Sequence, residues 1–179
     1  MWGMDFIFNR TADGGPIKML VVLDEYTRKN IAIEVSHKLK SHDVIMVLDE
    51  LTAICGAPEN IRSDNVSEFI AKVIKESCKE SGTNTLYIEP GAPWQNRIVE
   101  SFNCRLRDEL LLSEIFTTLA EAQLLCAIWR TDYNHRRPQR ARWASKHQLN
   151  TRQRAKYPRR KGWCNGWKRR ETQERRHRL

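Results

Sequence analysis

The sequence has no apolar run near the roughly 18 residues that a membrane-spanning helix needs, which excludes a helical membrane span. It opens M-W-G-M-D-F, without a basic stretch, an apolar segment and a cleavage site, so no secretion signal is expected and a cytoplasmic protein is. It has no CxxC pair. The five cysteines (Cys55, Cys78, Cys104, Cys126 and Cys164) are scattered and odd in number, so neither a disulfide framework nor a cysteine-based zinc site is expected. Cys55, Cys78 and Cys126 fall on apolar stripes of predicted helices and read as buried reduced thiols. What is present is a chain of 179 residues, enough for one domain of ordinary size with a real core.

Acidic residues are nearly absent too, but at one end only. Residues 135–179 hold 17 Lys and Arg against 2 Asp and Glu, whereas residues 1–134 hold 14 against 20. The net charge of +9 is therefore a mildly acidic domain joined to a strongly basic tail. Only about ten of the 45 residues from His135 onward are apolar or aromatic. Runs such as Arg159-Arg160-Lys161 and Lys168-Arg169-Arg170 alternate there with Trp143, Trp163 and Trp167. Such a composition buries too little surface to offset ordering entropy, so a core over residues 1–138 and a disordered basic tail over 139–179 are expected.

Within the core, Trp2, Met4, Phe6 and Phe8 alternate with Gly3, Asp5 and Ile7, the period of a strand. Asp13-Gly14-Gly15-Pro16 is a turn, and residues 17–23 and 30–35 read as two further strands of an antiparallel meander. Ser41 is the expected N-cap of a helix whose inward face is Val44, Val47, Leu48, Leu51, Ile54 and Cys55. Residues 60–63 form a short strand that delivers Asp64. A helix follows over about 67–81, with Ile70, Val73, Ile74 and Cys78 inward, then a strand over 83–88. A third helix spans about 96–112; Val99, Phe102, Leu106 and Leu110 are its apolar stripe, and Glu100, Asn103 and Arg107 share a neighbouring face. Thr118-Leu119-Ala120-Glu121 is a capping box that opens a fourth helix. The order βββαβαβαα predicts an α/β fold: a ribonuclease H-like mixed five-stranded sheet with helices on both faces.

An aspartate inside an apolar strand is costly unless it is paired, metal-bound or at an exposed edge. Asp5 is such a residue. Asp64 and Glu100 stand 35 residues apart, one after a strand and one on a helix. Three acids that converge would suit two magnesium ions, which take hard oxygen ligands and align an attacking and a leaving oxygen in phosphoryl transfer. The residues themselves leave blander readings open: a solvated helix face for Glu100, and turn chemistry for Asp64 in S-D-N.

The wording around these acids goes further. M-D-F, R-S-D-N, P-G-A-P-W-Q-N, V-E-S-F-N-C-R-L-R-D-E-L and W-R-T-D-Y-N-H-R-R-P together resemble the integrase catalytic core of bacterial insertion-sequence transposases related to retroviral integrases, over about residues 1–138. The resemblance implies a metal triad of Asp5, Asp64 and Glu100 that holds two Mg2+ (or Mn2+) ions. It implies that Asn65, Trp94, Gln95, Asn96, Asn103 and Arg107 lie close to DNA, with Arg97 placed to bind phosphate. It implies cleavage at element ends, strand transfer into target DNA, a homo-oligomer when functional, and association with the nucleoid.

The chain departs from that pattern at Val66-Ser67, where the family has glycine-proline, and at Arg97 and Cys104, where it has glycine. Valine would be strained if that glycine holds a positive φ. The start has no room for the helix-turn-helix region of relatives, which predicts an N-terminally shortened core, and the arginine-rich ending reads as a shifted frame. The leading expectation is a transposase-type strand-transfer enzyme or an inactive remnant of one. The alternative is a non-catalytic nucleic-acid binder that acts through the tail, with tryptophans stacked on bases. A ribonuclease H or repair nuclease is the third, and the W-Q-N and E-S-F-N segment argues against it.

Overall fold

The computed structural model describes residues 1–65, 69, 72–89 and 93–136. In chain order the elements are β1 (Trp2–Arg10), β2 (Pro16–Asp24), β3 (Asn30–Ser36), α1 (Ser41–Cys55), β4 (Asn60–Ser63), α2 (Lys72–Glu80) and β5 (Asn84–Tyr87). A 3-10 turn (Pro93–Asn96) then leads into α3 (Arg97–Leu106), which runs on as a π-helical turn (Arg107–Leu111), and α4 (Leu119–Arg136) completes the described chain. The strands form one sheet in the order β3-β2-β1-β4-β5. The meander β1-β2-β3 is antiparallel, and β4 and β5 add to it in parallel. This is the mixed ribonuclease H-like sheet that the element order predicts.

Strand alternation decides what each face of the sheet carries. Trp2, Met4, Phe6, Leu20 and Val22 point to one side and pack against Val44, Leu48 and Leu51 of α1 and Ile74 and Cys78 of α2. Phe6 stacks on Phe69 with ring centroids 4.5 Å apart. Ile7, Met19, Val21 and Leu23 point to the other side and meet Val99, Phe102 and Leu106 of α3 and Ala122, Cys126 and Tyr133 of α4. Each fully buried side chain of this kind contributes about 1.5–3 kcal/mol. Asp5 is two residues from both Gly3 and Ile7 and shares their side of the strand, so it belongs to the face that α3 covers.

Several local expectations are corrected. The N-cap of α1 is Lys40 and not Ser41; the Asp43 carboxylate accepts the Lys40 N–H at 2.7 Å and holds the first turn. Ile54 and Val73, expected inward, are 72% and 51% exposed, and Cys55 is exposed as well. Ile54 and Cys55 lie at the last turn of α1, and Val73 stands about 100° and about 140° around α2 from the buried Ile74 and Cys78. Cys78 and Cys126 are buried, as expected. The third helix is not one continuous α-helix but three kinds of turn in succession, and its π-helical section begins at Arg107. In the predicted capping box, Thr118 Oγ1 accepts the Glu121 N–H at 3.1 Å, while Glu121 reaches back to Thr117 rather than to Thr118. Val66-Ser67 and the tail from residue 139 onward lie outside the described residues.

Among the described residues no helix is long and apolar enough to cross a membrane.

Candidate active site

Asp5 sits at the centre of β1, hydrogen-bonded across to β2 in register with Val21. Its parallel neighbour is β4, where Trp2 pairs with Ile61 and Gly3 with Arg62. Continued by two residues, that register brings Asp5 level with Asp64, the residue immediately after β4. A short strand that stops at Ser63 thus delivers the second carboxylate beside the first. The third comes from above: α3 packs on this face through Val99, Phe102 and Leu106, and Glu100 lies in its first turn. A carboxylate there is favoured by the positive end of the helix.

The approach of α3 depends on Gly3. A Cβ at that position would lie 2.6 Å from Val99 Cγ2 and 3.0 Å from Glu25 Oε1. No side chain fits between the strand and the helix there, so glycine sets the height of α3 above Asp5.

The electrostatics connect the three acids. Burial pushes the Asp5 carboxyl up from 3.8 to about 7, and the negative charge of Asp64 is the next largest cause. The Phe6 N–H and the Arg107 guanidinium act in the opposite direction, and Glu100 adds a smaller upward push. The Phe6 N–H donates to Asp5 Oδ1 at 2.8 Å, and Asn103 Nδ2 donates to Oδ2 at 2.8 Å. Asn103 is itself buried, and its Oδ1 has no hydrogen-bond partner among the described residues. That leaves an oxygen acceptor beside the carboxylates.

The expected DNA-facing residues divide into two sets. Asn103 and Arg107 share the face of α3 that carries Glu100 and act directly on Asp5. Trp94 is 67% exposed, and Arg97 is exposed on the first turn of α3. The others are bound into the scaffold. Asn65 Nδ2 donates to the Ile88 carbonyl at 2.8 Å, and Gln95 Oε1 accepts the Glu89 N–H at 3.2 Å. Asn96 is 3% exposed, with its Oδ1 unpartnered among the described residues. Among the described residues no three His, Cys, Asp or Glu side chains stand together at metal-ligand distance.

One contributor escapes a reading of the sequence. Arg62, two residues before Asp64, makes a two-pronged contact with buried Glu25 at 3.2 Å to each oxygen and donates to the Gln95 carbonyl at 2.9 Å. It ties the end of β2, strand β4 and the 3-10 turn before α3 together. Burial raises the Glu25 carboxyl even against the Arg62 charge. The available signal was an arginine inside a four-residue strand, but its partners lie 37 and 33 residues away.

The chain is similar to known proteins in sequence and in fold. Residues 1–93 match a family described as Integrase core domain, and residues 81–142 match a second family with the same description. The chain is 40% identical over 137 residues to the insertion element IS476 uncharacterized 39.2 kDa protein of Xanthomonas euvesicatoria, covering 76% of this chain and 40% of that protein. It is 36% identical over 141 residues to the insertion element IS407 uncharacterized 31.7 kDa protein of Burkholderia multivorans, covering 79% of this chain and 51% of that protein. The chain thus spans about half the length of these relatives or less. In fold it is similar to a chain of the simian T-cell lymphotropic virus intasome solved in complex with PP2A regulatory subunit B56 gamma, with a TM-score of 0.65 at 16% identity over 90% of this chain and 57% of that one.

Proposed function

This chain belongs to the integrase core domain family carried by bacterial insertion elements, and we propose that it cuts and joins DNA strands at Asp5, Asp64 and Glu100. One observation carries the reading: a half-buried aspartate at mid-strand, raised to about 7, with Asp64 and Glu100 both contributing to that rise. A structural core gains nothing from acids that oppose one another's ionisation. A phosphoryl-transfer site does, because the same oxygens become ligands.

The donor set fits hard divalent cations in its chemistry: three carboxylates, with the Asn103 amide oxygen beside them. Asp5, Asp64 and Glu100 would hold two Mg2+ or Mn2+ ions. When bound, these supply charge neutralisation at the attacking and leaving oxygens. The chain's own groups do the rest. Asn103 fixes the Asp5 carboxylate in one orientation. Arg107 lowers the cost of ionising it and presents a cation to a phosphate. Trp94 and Arg97, exposed at the entry to α3, are free to meet a base and a phosphate, and Asn65, Gln95 and Asn96 shape the loop from which they project. The substrates are the ends of a mobile element and a target duplex. Since two ends must be brought together, the functional form is a homo-oligomer. The alternative is DNA binding through the basic tail without chemistry.

The test is a nicking and joining assay on the full chain with Mn2+ or Mg2+ and oligonucleotides that carry element ends. Cleavage that disappears in Asp64→Asn, with DNA affinity kept, supports the reading. No cleavage with any end favours the tail-binding alternative, and cleavage retained in Asp64→Asn would overturn the assignment of the chemistry to these carboxylates.

A further inference from the structure

On the side of α3 away from the carboxylates lies a hollow of about 370 Å3. Its rim carries Arg28 and Lys29 from the turn between β2 and β3 and Arg105 from α3, and its walls include Ile98, Phe102 and Tyr133. At about 100° per residue, Ile98 and Arg105 point opposite to Glu100, Asn103 and Arg107. No carboxylate lines the hollow, and none of the three cations forms an ion pair with a described residue. Arg28 acts on Glu25 and Arg105 on Glu109 only at a distance, while Glu25 contacts Arg62 at 3.2 Å and Glu109 accepts from Trp129 Nε1 at 3.2 Å.

The shared lining brings these cations to one hollow, and the electrostatics agree. Arg105 and Arg28, from different elements, both act on the Tyr133 phenol and oppose the upward push of its burial, to which Glu109 adds. Arg28 is also the one non-glycine with a positive φ, 63°, among the described residues. Such a backbone costs on the order of 1–2 kcal/mol and persists where the surroundings enforce it. Like charges held toward one hollow, one of them on a strained turn, form a site that an anion would complete.

We propose that this hollow binds a backbone phosphate, with its sugar, of the DNA handled at the carboxylate site. The inference rests on the DNA-processing reading above. A volume in the range of organic-ligand pockets exceeds what a bare anion requires. The buried pair Phe102 and Tyr133, packed edge to face at 4.8 Å, backs the hollow, and half-buried Ile98 offers an apolar contact to a deoxyribose. Because α3 carries Glu100 on one side and Arg105 on the other, a strand gripped here would be held by the same rigid helix that carries the chemistry.

The experiment measures affinity of the full chain for a duplex, with chelator present, as a function of salt, for the wild type, Arg28→Gln/Arg105→Gln and the control Lys79→Gln on α2. Two lost phosphate contacts should make the log–log salt slope shallower by about two, against about zero for a residue that touches no phosphate. A second arm follows amide exchange in the turn 26–29 with duplex or with inorganic phosphate. The proposal expects protection by duplex, lost in the double variant, and none from phosphate at the same phosphate concentration. A slope unchanged in the double variant, a control that changes as much, or protection by inorganic phosphate alone would each overturn it. Thermal unfolding of the variants confirms that the fold is retained. The readout needs no metal and no cleavage, so failure of the catalytic reading leaves it separately decidable.

Discussion

Asp5→Asn should stabilise the metal-free protein at neutral pH while it removes the chemistry. The Asp5 carboxyl is raised from 3.8 to about 7 in the folded state, chiefly by burial and then by Asp64. The folded protein therefore binds this proton more tightly than the unfolded chain does. Above pH 3.8 the unfolded chain ionises freely while the folded state resists, so the wild type loses stability as pH rises from about 4 to about 7. A rise of about three pKa units corresponds to a deficit on the order of 4 kcal/mol once the group is fully ionised. Asparagine escapes that deficit, but its amide cannot accept from both the Phe6 N–H and Asn103 Nδ2, which costs about 1 kcal/mol. The net gain of about 3 kcal/mol should raise Tm by about 9 °C, at ~3 °C per kcal/mol for a domain of this size. The assay is thermal unfolding with chelator present, at about pH 8 and near pH 4. The gap between variant and wild type should be wide at the higher pH and nearly closed at the lower. A gap that is the same at both, or a wild type that gains stability on going to the higher pH, would refute the reasoning.

Gly3→Ala drives a methyl into Val99 and Glu25; overpacking of this kind costs about 1–3 kcal/mol, and the lifted α3 should lower the rate of strand cleavage more than DNA affinity, as single-turnover kinetics would reveal. Arg62→Ala leaves Glu25 buried without its cation and should cost about 3 kcal/mol, the low end for a broken buried pair because the arginine is partly exposed; denaturant unfolding checks this. Adding Glu25→Gln to Arg62→Ala should return much of that stability without restoring cleavage, because the contact with the Gln95 carbonyl stays lost.

The sheet was legible because alternation in β1 and β2 is nearly unbroken and turn residues punctuate the meander. The face shared by Glu100, Asn103 and Arg107 was legible because helical spacing is a local property. Less local features were not. Nothing in W-G-M-D shows that Gly3 lies under Val99, since the contact exists only once α3 has packed. The brace through Arg62 joins three segments distant in the chain, and the convergence of Arg28 and Arg105 depends on how a turn meets a helix. Ile54 and Val73 fit their stripes by spacing and still face outward, because spacing alone does not fix how a helix is turned toward the sheet. The switch to π-helical geometry at Arg107 also has no clear mark in R-L-R-D-E-L, although it occurs where that arginine approaches Asp5; such turns recur at functional sites.

The most direct test compares metal-dependent cleavage rates of Asp5→Asn, Asp64→Asn and Glu100→Gln with those of the triple variant, on identical element-end DNA. Groups that act as one unit are strongly non-additive. Each single variant should therefore fall to the floor set by the triple. Separate partial losses that multiply up to the triple, or any single variant that retains wild-type cleavage, would contradict a shared site.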